Sequence, residues 1–440
     1  MKSKLFFTSA LVALGLVGLD AHAVGARRFV LNTLDSFKGG DLAGVALGSD
    51  GTVRAGLTLG KQPLANVASV WDVLALQDGS VLLGTGKGGQ VHRVKAGQTS
   101  LVAKTSGMAV ASLAAGDDGT VFAGTFPDGA IHKLDSKAEA GKDAPPDKPW
   151  LTLPETENVW DLAYDASSKA LYAATGPEGR LYRIDAAGKA EVYYDSDEPH
   201  LVSVAVAPDG SVYAGSSGKA LLYKVTAPGR ASVVHDFEGD DVRAIAIVPA
   251  DAPHGGELYV MANDYRGQVR SLRPPKRAKL QGGNDDQVEP RAGKGKLVRI
   301  GKSGAIEAML DDSETHFIGL AVDAKGLPYV GTGNEGRVIT VDDQHVVQVV
   351  ADTEERQVIG LAVAGPNRFV MASDPVVFHE VTGSGGASTV WTSKVLDAGA
   401  RATFGRVDWT VDGAVELQTR TGNTEKPDGT WSDWSPALLQ

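Results

Sequence analysis

The chain has 440 residues, a formal net charge of −11, 42% hydrophobic residues, only 6% aromatics, 54 Gly and no Cys. The length admits two domains or one large repeat domain, and the acidic balance argues against a general nucleic-acid binder. With so few aromatics the core must come mostly from Val, Leu, Ile and Ala, and without Cys there is no disulfide, no thiolate metal site and no lipid-acylation site, so that core alone must hold the chain.

Residues 1–23 read as a secretory signal. Lys2 and Lys4 precede an uncharged apolar run from Leu5 to Leu19, and Ala21-His22-Ala23 places small residues where a signal peptidase cuts, after Ala23. The run is short for a membrane span; an uncleaved anchor is the alternative. Removal of the signal leaves a charge near −12. The compartment expected is the periplasm or the cell exterior, with no integral membrane span after cleavage.

From Gly44 onward one pattern recurs: a small residue, an aliphatic residue and usually Ala, then an Asp-Gly or equivalent turn, then a second apolar strand ending in small residues. Gly44-Val45-Ala46 leads to Asp50-Gly51, Asp72-Val73-Leu74-Ala75 to Asp78-Gly79, and Ser112-Leu113-Ala114 to Asp118-Gly119. Further copies begin at Asp161, Ser203, Ala244, Gly319 and Gly360. Asp-Gly accepts the positive φ angles of tight hairpin turns, and the flanking apolar runs read as buried strands. A third strand follows, as in Gly179-Arg180-Leu181-Tyr182-Arg183-Ile184, and a fourth is expected at Glu191-Val192-Tyr193-Tyr194. Four strands in roughly 40 residues describe a propeller blade.

Successive copies are spaced 28, 40, 49, 42, 41, 75 and 41 residues apart. The short first interval makes residues 42–57 a partial unit, expected to close the ring by adding strand to the last blade. The longer intervals hold two inserts, one over 137–147 and one near 264–294. The prediction is an all-β fold: a seven-bladed β-propeller over 24–384, with eight blades as the alternative, and a Trp-rich, β-sandwich-like segment over 385–440.

The last segment carries Trp391, Trp409, Trp431 and Trp434, four of the seven Trp. Strands are expected at 390–396, 406–411 and 415–420. The order of propeller units, then Ser393-Lys394-Val395-Leu396-Asp397-Ala398-Gly399, then Arg420-Thr421-Gly422-Asn423-Thr424, then Trp431-Ser432-Asp433-Trp434-Ser435, resembles a family of exported bacterial β-propeller proteins with WD40-like or YVTN-like repeats and uncharacterised activity. The resemblance covers nearly the whole mature chain and implies a propeller with a C-terminal β-sandwich. It implies no activity and no catalytic residues. A jelly roll needs about eight strands, and only about four fit here. The sandwich is therefore expected to be incomplete, or to pair its edge with the ring or another chain.

Several residues stand out chemically. Val70-Trp71-Asp72 and Val159-Trp160-Asp161 open two inner strands, and an indole beside a carboxylate suits a sugar or a cation. The plainer reading packs each Trp between blades and lets each Asp cap a turn. Asp72, Asp161, Glu157, Asp240, Asp241 and Glu314 are carboxylates near blade tops, with solvated loop charge as the plainer reading; the nine His are scattered. No metal and no cofactor is expected. Arg266, Arg270, Arg273, Lys276, Arg277 and Lys279 form a basic loop beside Pro274-Pro275. It suits anionic envelope polymers or lipid head groups, or is a mobile polar loop. Arg420, Asn423, Asp428, Trp431 and Trp434 suit a glycan surface, or the packing of a small sandwich. Neither a nucleophile elbow nor a phosphate loop is present.

The function expected is a binding or scaffold protein, non-catalytic, with a protein or envelope-glycan partner and no nucleic acid. The alternative is a propeller hydrolase or lyase, lactonase-like, with its site at the channel mouth.

Overall fold

The computed structural model describes residues 28–438, except 65, 142–144, 266–292, 387–388 and 401. The signal segment, its cleavage site and all six basic-loop residues from Arg266 to Lys279 lie outside the described residues. Two compact units are distinguished: Asn32–Lys394, and Val395–Gln440 with the N-terminal residues.

The larger unit is mostly β and propeller-like. Antiparallel four-strand units follow one another along the chain. The first runs Val70–Ala75, Val81–Thr85, Gln90–Lys95 and Gln98–Lys104. The inner strands of the next six are Ala109–Ala115, Asn158–Asp165, His200–Val206, Asp241–Ile247, Phe317–Val322 and Gln357–Ala362. The fourth and fifth units merge into one eight-stranded sheet through Ser217 opposite Asp241. Each inner strand packs against the inner strand of the next unit, and that of the seventh packs against that of the first.

The Asp-Gly turns form as the sequence predicts. Gly79 and Gly210 take φ of +91° and +82°, a region that costs a residue with a Cβ. The preceding Asp fastens each turn: Asp78 Oδ1 accepts from Ser80 N at 3.0 Å, and Asp209 Oδ1 from Ser211 N at 2.9 Å.

The N-terminal hairpin does not join the last unit as expected. Val45–Gly48 pairs with Val347–Asp352, so the hairpin Val45–Gly48 and Val53–Ala55 extends the sixth unit. The strand directly after it, Leu57–Pro63, completes the seventh by pairing along Val377–Ser384. Gly56 makes the switch possible, because a Cβ there would lie 2.2 Å from the Val45 carbonyl. The insert over 137–147 falls between the third and fourth strands of the second unit, whose outer strand shrinks to Leu151–Thr152.

The core sits between the sheets. Val81, Leu82 and Leu83 of the first unit's second strand are fully buried. Val70, Val81, Leu83 and Val94 of this unit share a cluster with Phe369, Met371 and Phe378 of the seventh. Phe369 stacks on Phe378 at 5.4 Å.

The smaller unit departs from the expected sandwich. Val390–Thr392 does form a strand, paired with Asp41–Ala43 inside the larger unit. Residues 406–411 form no strand, and 415–420 contribute a single bridge, Leu417 to Leu438. Phe404, Val407, Val415 and Trp434 are exposed. The described residues beyond Lys394 therefore bury too little apolar surface to drive a sheet.

Replacing Phe369 by Ala should lower the unfolding free energy by about 3–5 kcal/mol, read from the urea midpoint. A loss below about 1 kcal/mol would show that the contact between the first and seventh units carries little stability.

Candidate functional site

All seven inner strands share one irregularity. Each slips its pairing by one residue at the same place, leaving Trp71, Ala111, Trp160, Val202, Arg243, Ile318 and Ile359 opposite no partner. Such bulges re-aim side chains. All seven residues are at least partly exposed, and Trp71 keeps 47% of its surface. Six are apolar or aromatic. The seventh, Arg243, is charged, and among the described residues it has neither an ion-pair nor a hydrogen-bond partner.

The residue after the bulge acts as a clamp. Asp72 Oδ1 accepts from its neighbour Val73 N at 2.8 Å, and Oδ2 from Leu113 N of the next unit at 2.6 Å. Asp161 repeats this with Leu162 N at 2.8 Å and Val204 N at 2.7 Å. In the second and fourth units the hydroxyls of Ser112 and Ser203 donate instead to Val159 O and Val242 O, at 3.3 and 2.7 Å. From the fifth unit onward the position is Ala244, Gly319 and Gly360. There Asn263 clamps the fifth unit to the sixth, meeting Phe317 N at 2.8 Å and Phe317 O at 3.0 Å.

The clamping carboxylates are electrostatically linked across a shared interior. Burial pushes Asp72 up to about 6 and Asp161 to about 7, against the lowering effect of their backbone N–H bonds. Both retain some accessible surface, but the walls around them withhold most of the solvation an ionised carboxylate needs. Arg243 lowers both, and Asp72 raises Asp161.

Two groups of side chains gather at the N-terminal ends of the inner strands. The first is an aromatic arc. Trp71 meets Phe126 edge-on at 5.0 Å, Phe126 lies 5.8 Å from Trp160, and Trp160 lies 5.8 Å from His200. Trp160 Nε1 donates to His200 Nδ1 at 3.1 Å. A Cβ on Gly176 would lie 1.9 Å from His200 Nδ1, so only glycine leaves the imidazole its place.

The second group is polar. Burial raises Asp241 to about 6, while Arg243 and Asn263 lower it; its Oδ1 is buried without a hydrogen-bond partner. Burial, then the charges of Arg356 and Arg243, hold His316 below the usual imidazole range, and its Nδ1 also lacks a partner. Tyr265 meets His316 edge-on at 5.3 Å, and burial pushes its phenol above the ordinary range. A Cβ on Gly333 would lie 2.1 Å from His316 Nε2.

The structure thus brings Trp71, Asp72, Trp160 and Asp161 to one end of the inner strands, with both carboxylates committed to backbone clamps. Asp240 accepts from Tyr265 N, Glu157 is exposed, and Glu314 pairs with Lys38 at 3.0 Å. Among the described residues no three of His, Cys, Asp and Glu form a group that could hold a metal ion. In the tail, the Arg420 guanidinium lies 5.8 Å from the Trp431 ring and 4.6 Å from that of Trp434. Asn423 is exposed in the turn beyond, and Asp428 fastens Thr430 N at 2.8 Å.

Sequence reasoning missed Phe126, His200, Arg243, Tyr265 and His316. A signal existed for Arg243. Aligning the repeats on the residue before the small position gives Trp71, Ala111, Trp160, Val202, Arg243, Ile318 and Ile359, and only one of these is charged. Thr175-Gly176 and Thr332-Gly333 likewise repeat where the second strand ends.

No family model and no curated protein matches the chain. Solved structures share its fold at low identity. A virginiamycin B lyase from Staphylococcus aureus, a catalytically inactive histidine-to-alanine variant with quinupristin, is 11% identical with a TM-score of 0.55, over 74% of this chain and 100% of that one. A streptogramin B lyase is 13% identical with a TM-score of 0.54, over 74% and 97%. The WD40 β-propeller domain of Doa1 is 13% identical with a TM-score of 0.54, also over 74% and 97%. Structures of this fold therefore include both a WD40 propeller domain and lyases. The expectation that the chain is more readily a non-enzyme is corrected by the lyases among these structures: its fold gives that preference no support. No helix among the described residues is long and apolar enough to cross a membrane.

The raised carboxyls make stability pH-dependent. Folding favours their protonated forms, so their contribution is complete below about pH 4 and is lost as pH rises through 6 to 7. Asp161→Asn removes one of these titrations. Its stability relative to the parent, from urea midpoints, should rise between pH 4 and pH 8; a flat difference would refute the raised Asp161 pKa.

Proposed function

We propose that the bulged end of the inner strands is an acid–base site of lyase or hydrolase type, acting on lactones or related acyl compounds. The observation that carries this reading is the lone Arg243 guanidinium beside Asp241 and His316, each with an unmade hydrogen bond. Buried polar groups in native proteins are rarely left unpaired without a reason.

The roles follow from the charge states. His316 is neutral at pH 7 because burial and two cations disfavour its protonated form, so it is available as a base. Asp241, near 6, is poised close to neutrality, where proton transfer is most efficient. Tyr265 keeps its proton, since burial and the Asp241 charge oppose phenolate, and it can donate to a departing oxygen. Arg243 supplies positive charge for an oxygen that becomes negative as the acyl group reacts. Asp72 and Asp161 hold the ring and are not assigned chemistry. The lyases among the structures of similar fold, one with quinupristin, support the reaction class.

In the same reading the units form a closed seven-bladed ring, supported by the packing of the seventh inner strand on the first. Residues 1–23 are an export signal, 24–384 the propeller and 385–440 a Trp-rich appendage, in a protein of the periplasm or cell exterior. The Arg420–Trp431–Trp434 stack and the basic insert are then secondary surfaces for envelope glycans or anionic polymers.

A panel of macrocyclic and small lactones, quinupristin among them, tests the reading by mass spectrometry of the products. At least one should be turned over. His316→Ala should cut the rate about 10²- to 10⁴-fold, and Arg243→Met about 10²-fold or more, without a change in Tm. No turnover of any member, or turnover indifferent to both substitutions, would overturn the proposal.

A further inference from the structure

We infer that the site takes ligands that carry both a flat aromatic ring and an anionic or strongly polarised oxygen, rather than saccharides. This rests on the placement of the site given above and names the class of molecule that fills it.

The first observation is the arc. Trp71, Phe126, Trp160 and His200 form a continuous run of rings with successive centroids 5.0, 5.8 and 5.8 Å apart. Trp71 ends this run with nearly half of its surface open, and Met108, 58% exposed, stands on the loop before the next unit's inner strand. An exposed indole held by a neighbouring ring is a stacking platform for another flat group.

The second observation disfavours the usual occupant of such a platform. Sugars bind an indole through their C–H face only when carboxylates or amides nearby take up their hydroxyls. Here both oxygens of Asp72 and both of Asp161 are occupied by backbone N–H groups. The Trp160 N–H is occupied by His200. The arc therefore offers apolar surface beside clamped carboxylates, with the Trp71 N–H and the exposed Glu157 near His200 as its remaining polar groups.

The third observation supplies the other end of the ligand. Arg243 occupies the bulge position that Trp71 and Trp160 occupy in their own units. Its charge acts on Asp72 and Asp161, the residues directly after those two Trp. Arg243 therefore stands at the same end of the inner strands as the aromatic arc, at the matching bulge of its own unit. A guanidinium without a carboxylate partner matches a carboxylate or a polarised carbonyl oxygen.

The test uses the full mature chain and three probes: 2-naphthoate, its neutral analogue 2-naphthalenemethanol, and maltose. Binding is measured by quenching of Trp fluorescence and by calorimetry. 2-Naphthoate should bind, with the alcohol at least ten-fold weaker and maltose without measurable binding. Trp71→Ala and Arg243→Met should each weaken 2-naphthoate at least ten-fold. Both side chains are exposed, so an unchanged Tm is expected to show that the fold is intact. Trp409→Phe, in the tail, should leave binding unaltered. The inference is overturned if 2-naphthoate fails to bind, if maltose binds more tightly, or if binding ignores both substitutions. Binding without lactone turnover would uphold this inference and sink the catalytic reading. Turnover of aliphatic lactones without naphthoate binding would do the reverse.

Discussion

The repeated bulge in the inner strands is the constraint from which the rest of the larger unit follows. Inner strands packed side by side crowd one another, and a regular pleat would drive side chains from neighbouring units into the same space. Skipping one residue per strand turns Trp71, Arg243 and their equivalents out of the ladder and brings the next residue round to the neighbouring unit. That next residue is small or forms a clamp for this reason. Asp72 and Asp161 reach backbone N–H groups of the following unit, Ser112 and Ser203 reach carbonyls, and Gly319 and Gly360 leave no room to reach at all. Packing and the candidate site are thus two outcomes of one backbone irregularity.

The clamp also gives the two Asp of the Trp-Asp pairs a structural task. An ionised carboxylate in a low-dielectric interior is costly, and evolution tolerates that cost here because two directed N–H groups partly offset it at each Asp. The residual penalty appears as the raised pKa of both groups. Each oxygen of Asp72 and Asp161 accepts a backbone N–H, whereas Asp241 Oδ1 is buried without a partner. Carboxylates that look alike in the sequence thus differ in what they hold.

Most of the strand framework was legible because Asp-Gly turns and buried apolar runs are local signals. Gly79 and Gly210 adopt the positive φ that their dipeptides call for. What was not legible is non-local. Nothing near Val45 says that its strand will lie beside Val347–Asp352, or that Leu57–Pro63 will lie beside Val377–Ser384. His200 and His316 looked scattered because glycines in other strands, Gly176 and Gly333, make their places. The tail misled for a compositional reason. Its Trp suggested a core, but Trp434 is exposed against an arginine and the surrounding aliphatics find nothing to cover them.

The exchange of strands between the two ends of the chain bears on when the protein can become itself. The sixth and seventh units are made after the other five, yet their outermost strands are synthesised about 300 positions earlier. Until the end of the chain has emerged, Leu57–Pro63 has no neighbour and the seventh unit has an open edge. A chain made N-terminus first can therefore assemble its early units one by one but cannot finish. Its last act of folding is to recover a strand it released long before.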